Sequence, residues 1–175
     1  MPALEAYELT TKGGATDFAR VIAACESFEP YCLIGGLAVN CYVDPVYTLD
    51  ADLVVVSTNL GTLSGHLLQD GFAVEPHPPS VNLQALGSDL RIQFTTDARC
   101  QAFLPRSRDM QVLGVHTEVA CVEDVAHGKL WAYSDPQRRL SKRKKDELDL
   151  IRLAEAFPDL KSFYPKDLLD QLAAG

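Results

Sequence analysis

Two aspartates, Asp50 and Asp52, stand at the start of an apolar segment that continues to Val56. Alternate residues of a β-strand point to the same face, so a strand here would place the two carboxylates side by side. Two like charges that close repel each other unless a cation lies between them. A metal ion supplies such a charge, and hard oxygen ligands favour Mg²⁺. The pair therefore predicts a magnesium site at the beginning of a strand.

A Gly-Gly step, Gly35-Gly36, precedes Asp50 with thirteen residues between them. It follows a short apolar segment, residues 31–34, and opens a helix predicted to end before Pro45. At such a strand-to-helix junction, backbone N–H groups can approach a phosphate closely. The alternative is structural, because Gly-Gly can simply make a tight turn and the aspartates can cap the edge of a strand.

The composition is that of an ordinary folded protein. Of the 175 residues, 47% are apolar and 23% are charged, which predicts one compact domain, or a core with a small appendage. The formal net charge of −8 excludes a general polyanion binder, so any nucleic-acid contact needs a local basic patch. Five cysteines without a CxxC pair, and no basic and apolar leader, predict a reduced, cytoplasmic setting. We also expect no membrane span.

Hydrophobic periodicity predicts a mixed α/β first part followed by helices. Strands are predicted over residues 31–34, 50–56, 72–75, 81–85, 90–94, 110–113 and 116–120. Helices are predicted over residues 16–27, 37–43, 62–69, 122–135 and 141–156, with a last one opened by Pro165. Thr16 is predicted to cap the first helix, and residues 57–61 to form a loop. In the helix of residues 141–156, the side chains predicted to face the core are Leu148, Ile151 and, just after it, Phe157. The chain divides into a core of residues 1–121 and a helical part of residues 122–175, packed as one unit.

The order strand, Gly-Gly, helix and a strand beginning Asp-x-Asp resembles the nucleotidyltransferase superfamily of the DNA polymerase β type. The segments VEDVAHGKLWAYSD (122–135) and RRLSKRKKDELDL (138–150) are similar to those of its minimal, AbiEii-like branch. The resemblance covers residues 31–156. It implies an α/β (α+β) fold, in which a polymerase β-like core with a mixed β-sheet is flanked by helices and the C-terminal helices pack on it.

The resemblance also implies an activity. A Mg²⁺-dependent nucleotidyltransferase moves a nucleoside monophosphate from an NTP to a hydroxyl of a protein, an RNA or a small molecule. Asp50 and Asp52 are then the catalytic carboxylates that bind the metal. The residues implied to bind the nucleotide and its phosphates are Gly35, Gly36, Thr48 and Lys129.

The third carboxylate of active members is missing from its usual context. It commonly lies in an Arg-Ile-Asp-Leu segment, and the matching residues here are Arg91-Ile92-Gln93-Phe94. An amide oxygen can ligate a cation, but it brings no charge and cannot act as a base. Asp89 is the other candidate on that face, although four residues along a strand span ~13 Å. Val46 also replaces an arginine that many relatives carry. A degenerate member that binds a nucleotide or a partner without transfer, for example within a toxin–antitoxin pair, is the alternative, and an unrelated α/β binding domain is a third.

Six of the sixteen basic residues fall within residues 138–145. This segment could be a triphosphate clamp, an RNA contact, a docking face for an acidic protein partner, or a solvated helix start. Lys129 lies on the inward flank of its predicted helix, where a lysine needs an anionic neighbour. It could face the nucleotide phosphates, or snorkel from a core helix. Asp146 and Asp149 could fix Lys129 or Arg143, or lie on the helix surface.

Overall fold

The computed structural model describes residues 2–175, which fold into helices around one seven-stranded sheet. The strands are β1 (Tyr31–Ile34), β2 (Asp50–Val55), β3 (Phe72–His77), β4 (Ser80–Ala85), β5 (Arg91–Thr95), β6 (Arg108–Val112) and β7 (Val115–Val119). The α-helices are α1 (Ala3–Thr10), α2 (Gly14–Glu26), α3 (Gly35–Val39), α4 (Ser57–Gln69), α5 (Ala98–Gln101), α6 (Val122–Ser134), α7 (Leu140–Ala156) and α8 (Lys166–Ala174). Short 3₁₀ helices cover Leu104–Arg106 and Pro158–Phe163.

The sheet has the strand order β3-β4-β5-β2-β1-β7-β6 and is mixed. Strands β2 and β5 run parallel, as do β1 and β7, while the other neighbouring pairs are antiparallel. A parallel pair needs a crossover connection, and the chain between β2 and β5 contains α4 with the β3–β4 hairpin. This mixed sheet flanked by helices confirms the predicted α/β (α+β) class.

The two faces of the central strands differ in polarity. On β2, the residues between and after the aspartates are fully buried, and they are Ala51, Leu53 and Val55. On β5, Ile92 and Phe94 are buried in the same core cluster. Because side chains alternate along a strand, Asp50 and Asp52 lie on the opposite face, beside Arg91 and Gln93. The apolar face therefore holds the core, and the polar face is free to form a site.

Two predictions about the helices before β3 are wrong. Thr16 does not cap α2, because Gly13 precedes the helix and the Thr11 hydroxyl accepts a hydrogen bond from the Gly14 N–H (2.9 Å). Residues 57–61 are not a loop, since α4 begins directly after β2 at Ser57. The polar and glycine residues there favour a loop locally, but Leu63 and Leu67 further along the helix are fully buried and their packing outweighs that preference. Helix α1 is absent from the sequence-based prediction.

The C-terminal helices agree with the prediction in position and differ in which side faces inward. Leu148 is 47% exposed, whereas Leu150 and Leu153 are fully buried. Asp146 and Asp149 also face inward, because they pair with a lysine of α6. An apolar pattern cannot reveal charged residues that occupy core positions. The division into residues 1–121 and 122–175 stays a prediction.

Two further findings concern the chain as a whole. Among residues 2–175, no helix is both long and apolar enough to cross a bilayer. All five cysteines are free thiols.

Candidate active site

Asp50 is held by two cations. Its Oδ1 lies 2.8 Å from Arg91 Nε, and its Oδ2 accepts a hydrogen bond from Lys142 Nζ at 2.7 Å. Burial raises the pKa of this carboxyl, but the hydrogen bond from Lys142 and the charges of Lys142 and Arg91 outweigh burial and leave the pKa below its ordinary value. Asp50 is therefore ionised at neutral pH, and both of its oxygens are occupied by side chains.

Asp52 has no such partners. Within residues 2–175, its half-buried carboxylate makes no hydrogen bond and no ion pair to another side chain. Burial is the main cause that raises its pKa above the ordinary value, and the charge of Asp50 adds to it, although the ammonium of Lys129 acts in the opposite direction. An ionised carboxylate in this position therefore has no cation in direct contact with it.

The Gly-Gly turn lies directly against the aspartate strand. Ile34 pairs with Asp52 in the β1–β2 ladder, and Gly35 follows it with a left-handed φ of +73°. A Cβ atom on Gly35 would stand 2.3 Å from Asp52 Oδ2, and one on Gly36 would stand 3.3 Å from Thr48 Oγ1. The turn therefore needs glycine at position 35 for two reasons, which are the backbone conformation and the contact with Asp52.

We expect Gly35→Ala to destabilise the protein and to displace Asp52. The left-handed backbone costs a non-glycine residue about 1–2 kcal/mol, and the new methyl group has no room beside Asp52 Oδ2. Gly71→Ala is the matched control, because Gly71 has a φ of +93° but no atom within 4 Å of its Cβ position. Chemical denaturation should show a loss in both variants that is larger in Gly35→Ala, and calorimetry should show lost Mg²⁺–nucleotide binding only in Gly35→Ala. Equal binding by both would contradict the role of this turn.

Gln93 occupies the third position next to the two aspartates. The parallel ladder pairs Asp52 with Gln93, and the next ladder pairs Gln93 with Asn82 on β4. Gln93 Nε2 donates a hydrogen bond to Asn82 Oδ1 (3.1 Å). Asp89 precedes β5 and forms an ion pair with Lys12 at 3.2 Å, so the structure does not bring it to the aspartates. Of the two residues considered for the third position, only Gln93 lies there.

Lys129 is buried in a network of charges between α6 and α7. Its Nζ lies 3.1 Å from Asp146 Oδ1 and 2.7 Å from Asp149 Oδ2, and its side chain is 9% exposed. Burial lowers the pKa of Lys129, but the two carboxylates outweigh burial and raise it overall. Asp146 also pairs with Arg138 (2.5 Å) and Asp149 with Arg152 (2.9 Å). Of the alternatives considered, the structure has the one in which the two aspartates fix Lys129, and direct phosphate binding by Lys129 stays a prediction.

The basic segment divides between two surfaces. Residues at helical spacing converge with Arg91 around Asp50, and they are Arg139, Lys142 and Lys145. Lys145 Nζ donates to Thr48 Oγ1 at 3.2 Å, and burial with the neighbouring charge of Lys129 lowers its pKa. These side chains line a recess of about 320 Å³ together with Tyr47 and Thr48.

Of the rest of the segment, Arg138 pairs with Asp146, whereas Arg143 and Lys144 face away from this recess. Lys144 pairs with Glu147 at 2.8 Å, and Arg143 lines a different surface depression beside Tyr133. Individual roles for Arg91, Lys142 and Lys145 were not predicted from the sequence. The i, i+3, i+6 spacing of residues 139, 142 and 145 is the signal that could have identified the cationic side of α7.

Two cavities meet at Asp52. One, of about 500 Å³, lies over the polar face of β3, β4 and β5 and contains Asp50, Asn82 and Gln84. The other, of about 760 Å³, lies between Gly35, the end of β5 and α6. Both cavities are lined by Asp52, Gln93 and Arg138. The arrangement can therefore receive two molecules, or two parts of a molecule, on either side of one carboxylate.

Comparison with known proteins rests on structure alone. No protein-family model and no curated protein sequence matches the chain. The antibiotic-resistance factor ANT(2'')-Ia superposes with a TM-score of 0.62 at 15% identity, over 94% of this chain and 91% of its own. The same protein in complex with adenylyl-2''-tobramycin gives a TM-score of 0.59 at 15% identity, over 91% of this chain and 95% of its own.

A fungal protein shows the same likeness. An antigenic nucleotidyltransferase-like protein from Paracoccidioides brasiliensis superposes with a TM-score of 0.56 at 18% identity, over 91% of this chain and 87% of its own. At identities this low, the superpositions establish the fold alone. The chemistry has to be argued from the residues of the site. The chain has the fold of the nucleotidyltransferase superfamily, as its Gly-Gly and Asp-x-Asp segments predict.

Proposed function

We propose that this protein is a Mg²⁺-dependent nucleotidyltransferase, which moves a nucleoside monophosphate from an NTP to a hydroxyl group. The observation that carries the proposal is Asp52, an unpaired carboxylate at the junction of two cavities. It lies beside Asp50 and against the Gly35 turn. The nucleotidyltransferase fold and the complex of ANT(2'')-Ia with an adenylylated product support the same class of reaction.

The donor set fits Mg²⁺ bound together with a nucleotide. Within residues 2–175, no cluster of three or more histidine, cysteine or acidic side chains could enclose a metal on its own. Mg²⁺ commonly binds through one or two carboxylates, with substrate phosphates and water completing its shell. Asp50 and Asp52 would supply those carboxylates. When bound, the ion would offset the negative charge of the phosphates during transfer.

The cations around Asp50 are suited to the phosphates of the nucleotide. Arg91, Lys142 and Lys145 lie on the same side of the aspartates, in the recess beside Thr48. They now neutralise Asp50, and a bound phosphate chain would offer them a stronger anion. The backbone N–H groups at the start of α3 would add donors at the Gly-Gly turn. We infer that this side of the site binds the leaving pyrophosphate.

Calorimetry with ATP, GTP, CTP and UTP, each with and without Mg²⁺, tests the binding half of this proposal. We expect at least one nucleotide to bind, and to bind more tightly with Mg²⁺. Asp50→Asn should weaken the Mg²⁺-dependent part, while Asp109→Asn, on exposed strand β6, serves as the control. A nucleotide affinity that is the same with and without Mg²⁺, and the same in the parent and in Asp50→Asn, would contradict the proposed metal site.

A protein that binds nucleotide without transferring it is the second candidate, and Gln93 favours it. The family resemblance implies that active members usually carry three carboxylates, whereas Gln93 leaves this site with two. Positioned general-base help is worth ~10²–10⁴ in rate, so its absence slows the reaction without forbidding it. A role in a toxin–antitoxin pair, and an RNA or an acidic protein as partner of the basic segment, remain predictions of the sequence analysis.

Gln93→Asp should tighten Mg²⁺ binding by about tenfold, because affinity for hard cations rises with the number of charged ligands. The change replaces an amide by a carboxylate next to Asp52 and removes one methylene. Calorimetric titration with Mg²⁺ at a fixed nucleotide concentration gives the Mg²⁺ affinity. Gln111→Glu, which adds a charge on β6 away from both cavities, controls for net charge. No difference between Gln93→Asp and the parent would show that Gln93 does not adjoin the metal.

A further inference from the structure

We propose that Gln93 and Asn82 form an amide pair that recognises neighbouring hydroxyl groups, so that the acceptor is a neutral polyhydroxylated molecule such as a sugar or a cyclitol. The proposal rests on the transfer reaction proposed above and assigns the acceptor class, which that reaction leaves open. It also gives Gln93 a role of its own, in place of a missing carboxylate.

The amide pair lies in one row with Asp52. The ladder between β2 and β5 pairs Asp52 with Gln93, and the ladder between β5 and β4 pairs Gln93 with Asn82. Paired residues on neighbouring strands point to the same face, and both amides are half-buried in the lining of the 500 Å³ cavity. An acceptor in this cavity would therefore reach Asp52 along this row.

The hydrogen bond between the amides determines what they offer to a ligand. Each amide has one carbonyl oxygen and one NH₂ group, and the bond from Gln93 Nε2 to Asn82 Oδ1 uses one of each. This leaves the Gln93 Oε1 acceptor and the Asn82 Nδ2 donors free, and turning both amides round leaves the same two kinds of group. A hydroxyl both donates and accepts, so two adjacent hydroxyls match this pair.

The charges at the buried end of the cavity have partners when the nucleotide is bound. Asp50 and Asp52 are assigned to the metal, Arg91 and Lys142 to the phosphates, and Arg138 is paired with Asp146. Glu75, at the outer end of the row, is 74% exposed, and the His77 imidazole 3.3 Å away balances its charge only when protonated. Beside Asp52 and Gln93, a cationic acceptor group would therefore find no unpaired carboxylate, and a phosphate group or an RNA would find no unpaired cation.

The volume of the cavity agrees with a small acceptor. Pockets for small molecules commonly enclose ~300–1,000 Å³, and this cavity encloses about 500 Å³.

The transfer step balances without a further reagent. The acceptor hydroxyl oxygen forms a bond to the α-phosphorus, the bond from that phosphorus to the bridging oxygen of the β-phosphate breaks, and pyrophosphate leaves with the electron pair. The hydroxyl proton passes to water in the open cavity.

The test uses an NTP that binds in the presence of Mg²⁺ and measures transfer of its label to acceptors of different charge. Glucose and myo-inositol are the neutral arms, glucosamine is the cationic arm and glucose 6-phosphate is the anionic arm. A peptide with serine, threonine and tyrosine and an RNA oligonucleotide complete the set. Pyrophosphate release and nucleotide affinity are measured in parallel, since these report the proposed function without any acceptor.

We expect label on a neutral arm at least tenfold above every other arm. Asn82→Leu should reduce it about tenfold, a larger loss than in nucleotide affinity or in pyrophosphate release to water. Gln111→Leu, which removes an amide on β6, should leave the label as in the parent. Asn82→Asp keeps an acceptor for Gln93 and replaces the free donors by a charge, so it should shift label from glucose towards glucosamine.

Three outcomes would overturn the acceptor assignment and leave the proposed transfer reaction standing. These are label chiefly on the peptide, the RNA or a charged sugar; pyrophosphate release with no label on any arm; and label on glucose that Asn82→Leu leaves unchanged. A parent that binds no nucleotide and releases no pyrophosphate overturns the proposed function, and the acceptor assignment falls with it.

Discussion

We expect Asp52→Asn to remove Mg²⁺-dependent nucleotide binding and to leave the nucleotide-free protein as stable as the parent or more stable. Substituting even an outer-shell partner of a metal ligand costs ~10–100-fold in affinity, so loss of a direct ligand should cost more than about 100-fold. The free energy of unfolding should stay the same or rise in this variant, because burial and the charge of Asp50 raise the pKa of Asp52 in the folded parent. A carboxyl whose pKa is raised by folding loses stability as the pH rises from its unfolded pKa through its folded one. At neutral pH the parent bears this cost and the variant does not.

Thermal unfolding at pH 7, with and without Mg²⁺ and nucleotide, checks both halves of this prediction. The parent should gain stability from the ligands by linkage, and Asp52→Asn should not. Asp109→Asn, at an exposed carboxylate on β6, should respond to ligands as the parent does. A variant that loses stability without ligand, or still gains it from Mg²⁺ and nucleotide, would show that Asp52 is a structural group and no metal ligand.

Lys129→Met should destabilise the protein by about 3–5 kcal/mol, because it leaves two buried carboxylates without their shared cation. The side chain of Met has a similar length, so lost packing contributes little. For a chain of this size, such a loss lowers Tm by about 6–20 °C. Lys166→Met removes an exposed lysine that pairs with Asp170, with side chains 87% and 63% exposed, and should cost less than about 1 kcal/mol.

This comparison decides between the two roles of Lys129. Denaturant unfolding of the two variants gives the free energies, and calorimetry gives the nucleotide affinity of whatever remains folded. A stable Lys129→Met that has lost nucleotide affinity would favour direct phosphate contact, as the family resemblance implies. A large loss of stability supports the structure, in which Lys129 joins α6 to α7 and keeps Arg138 near both cavities through Asp146.

The sequence identifies the residues whose positions follow from local rules. An apolar strand that starts Asp-x-Asp fixes both carboxylates on one face, and the glycine at position 35 follows from the strand-to-helix turn that contacts them. The Arg91-Ile92-Gln93-Phe94 segment also fixes Gln93 on the polar face once it is a strand. These features depend on neighbours within a few residues, and they were predicted.

The features that were missed depend on contacts between distant segments. Lys142 lies 92 residues from Asp50 in the chain, and no periodicity shows that α7 brings its ammonium to that carboxylate. The same holds for Asn82 beside Gln93, which requires the register of β4 against β5. For Asp146 and Asp149, the sequence leaves open whether they fix a basic side chain or lie on the helix surface, because their burial depends on Lys129 of α6 and on Arg138 and Arg152.

Release of pyrophosphate from an NTP tests the central claim most directly, since attack at the α-phosphorus gives pyrophosphate whereas attack at the γ-phosphorus gives orthophosphate. The assay compares the parent with a variant that combines Asp50→Asn and Asp52→Asn, with and without Mg²⁺, using the nucleotide that calorimetry selects. We predict pyrophosphate from the parent only with Mg²⁺, and none above background from the double variant. Nucleotide bound by the parent without release of pyrophosphate, or pyrophosphate released equally by the double variant, would contradict the account.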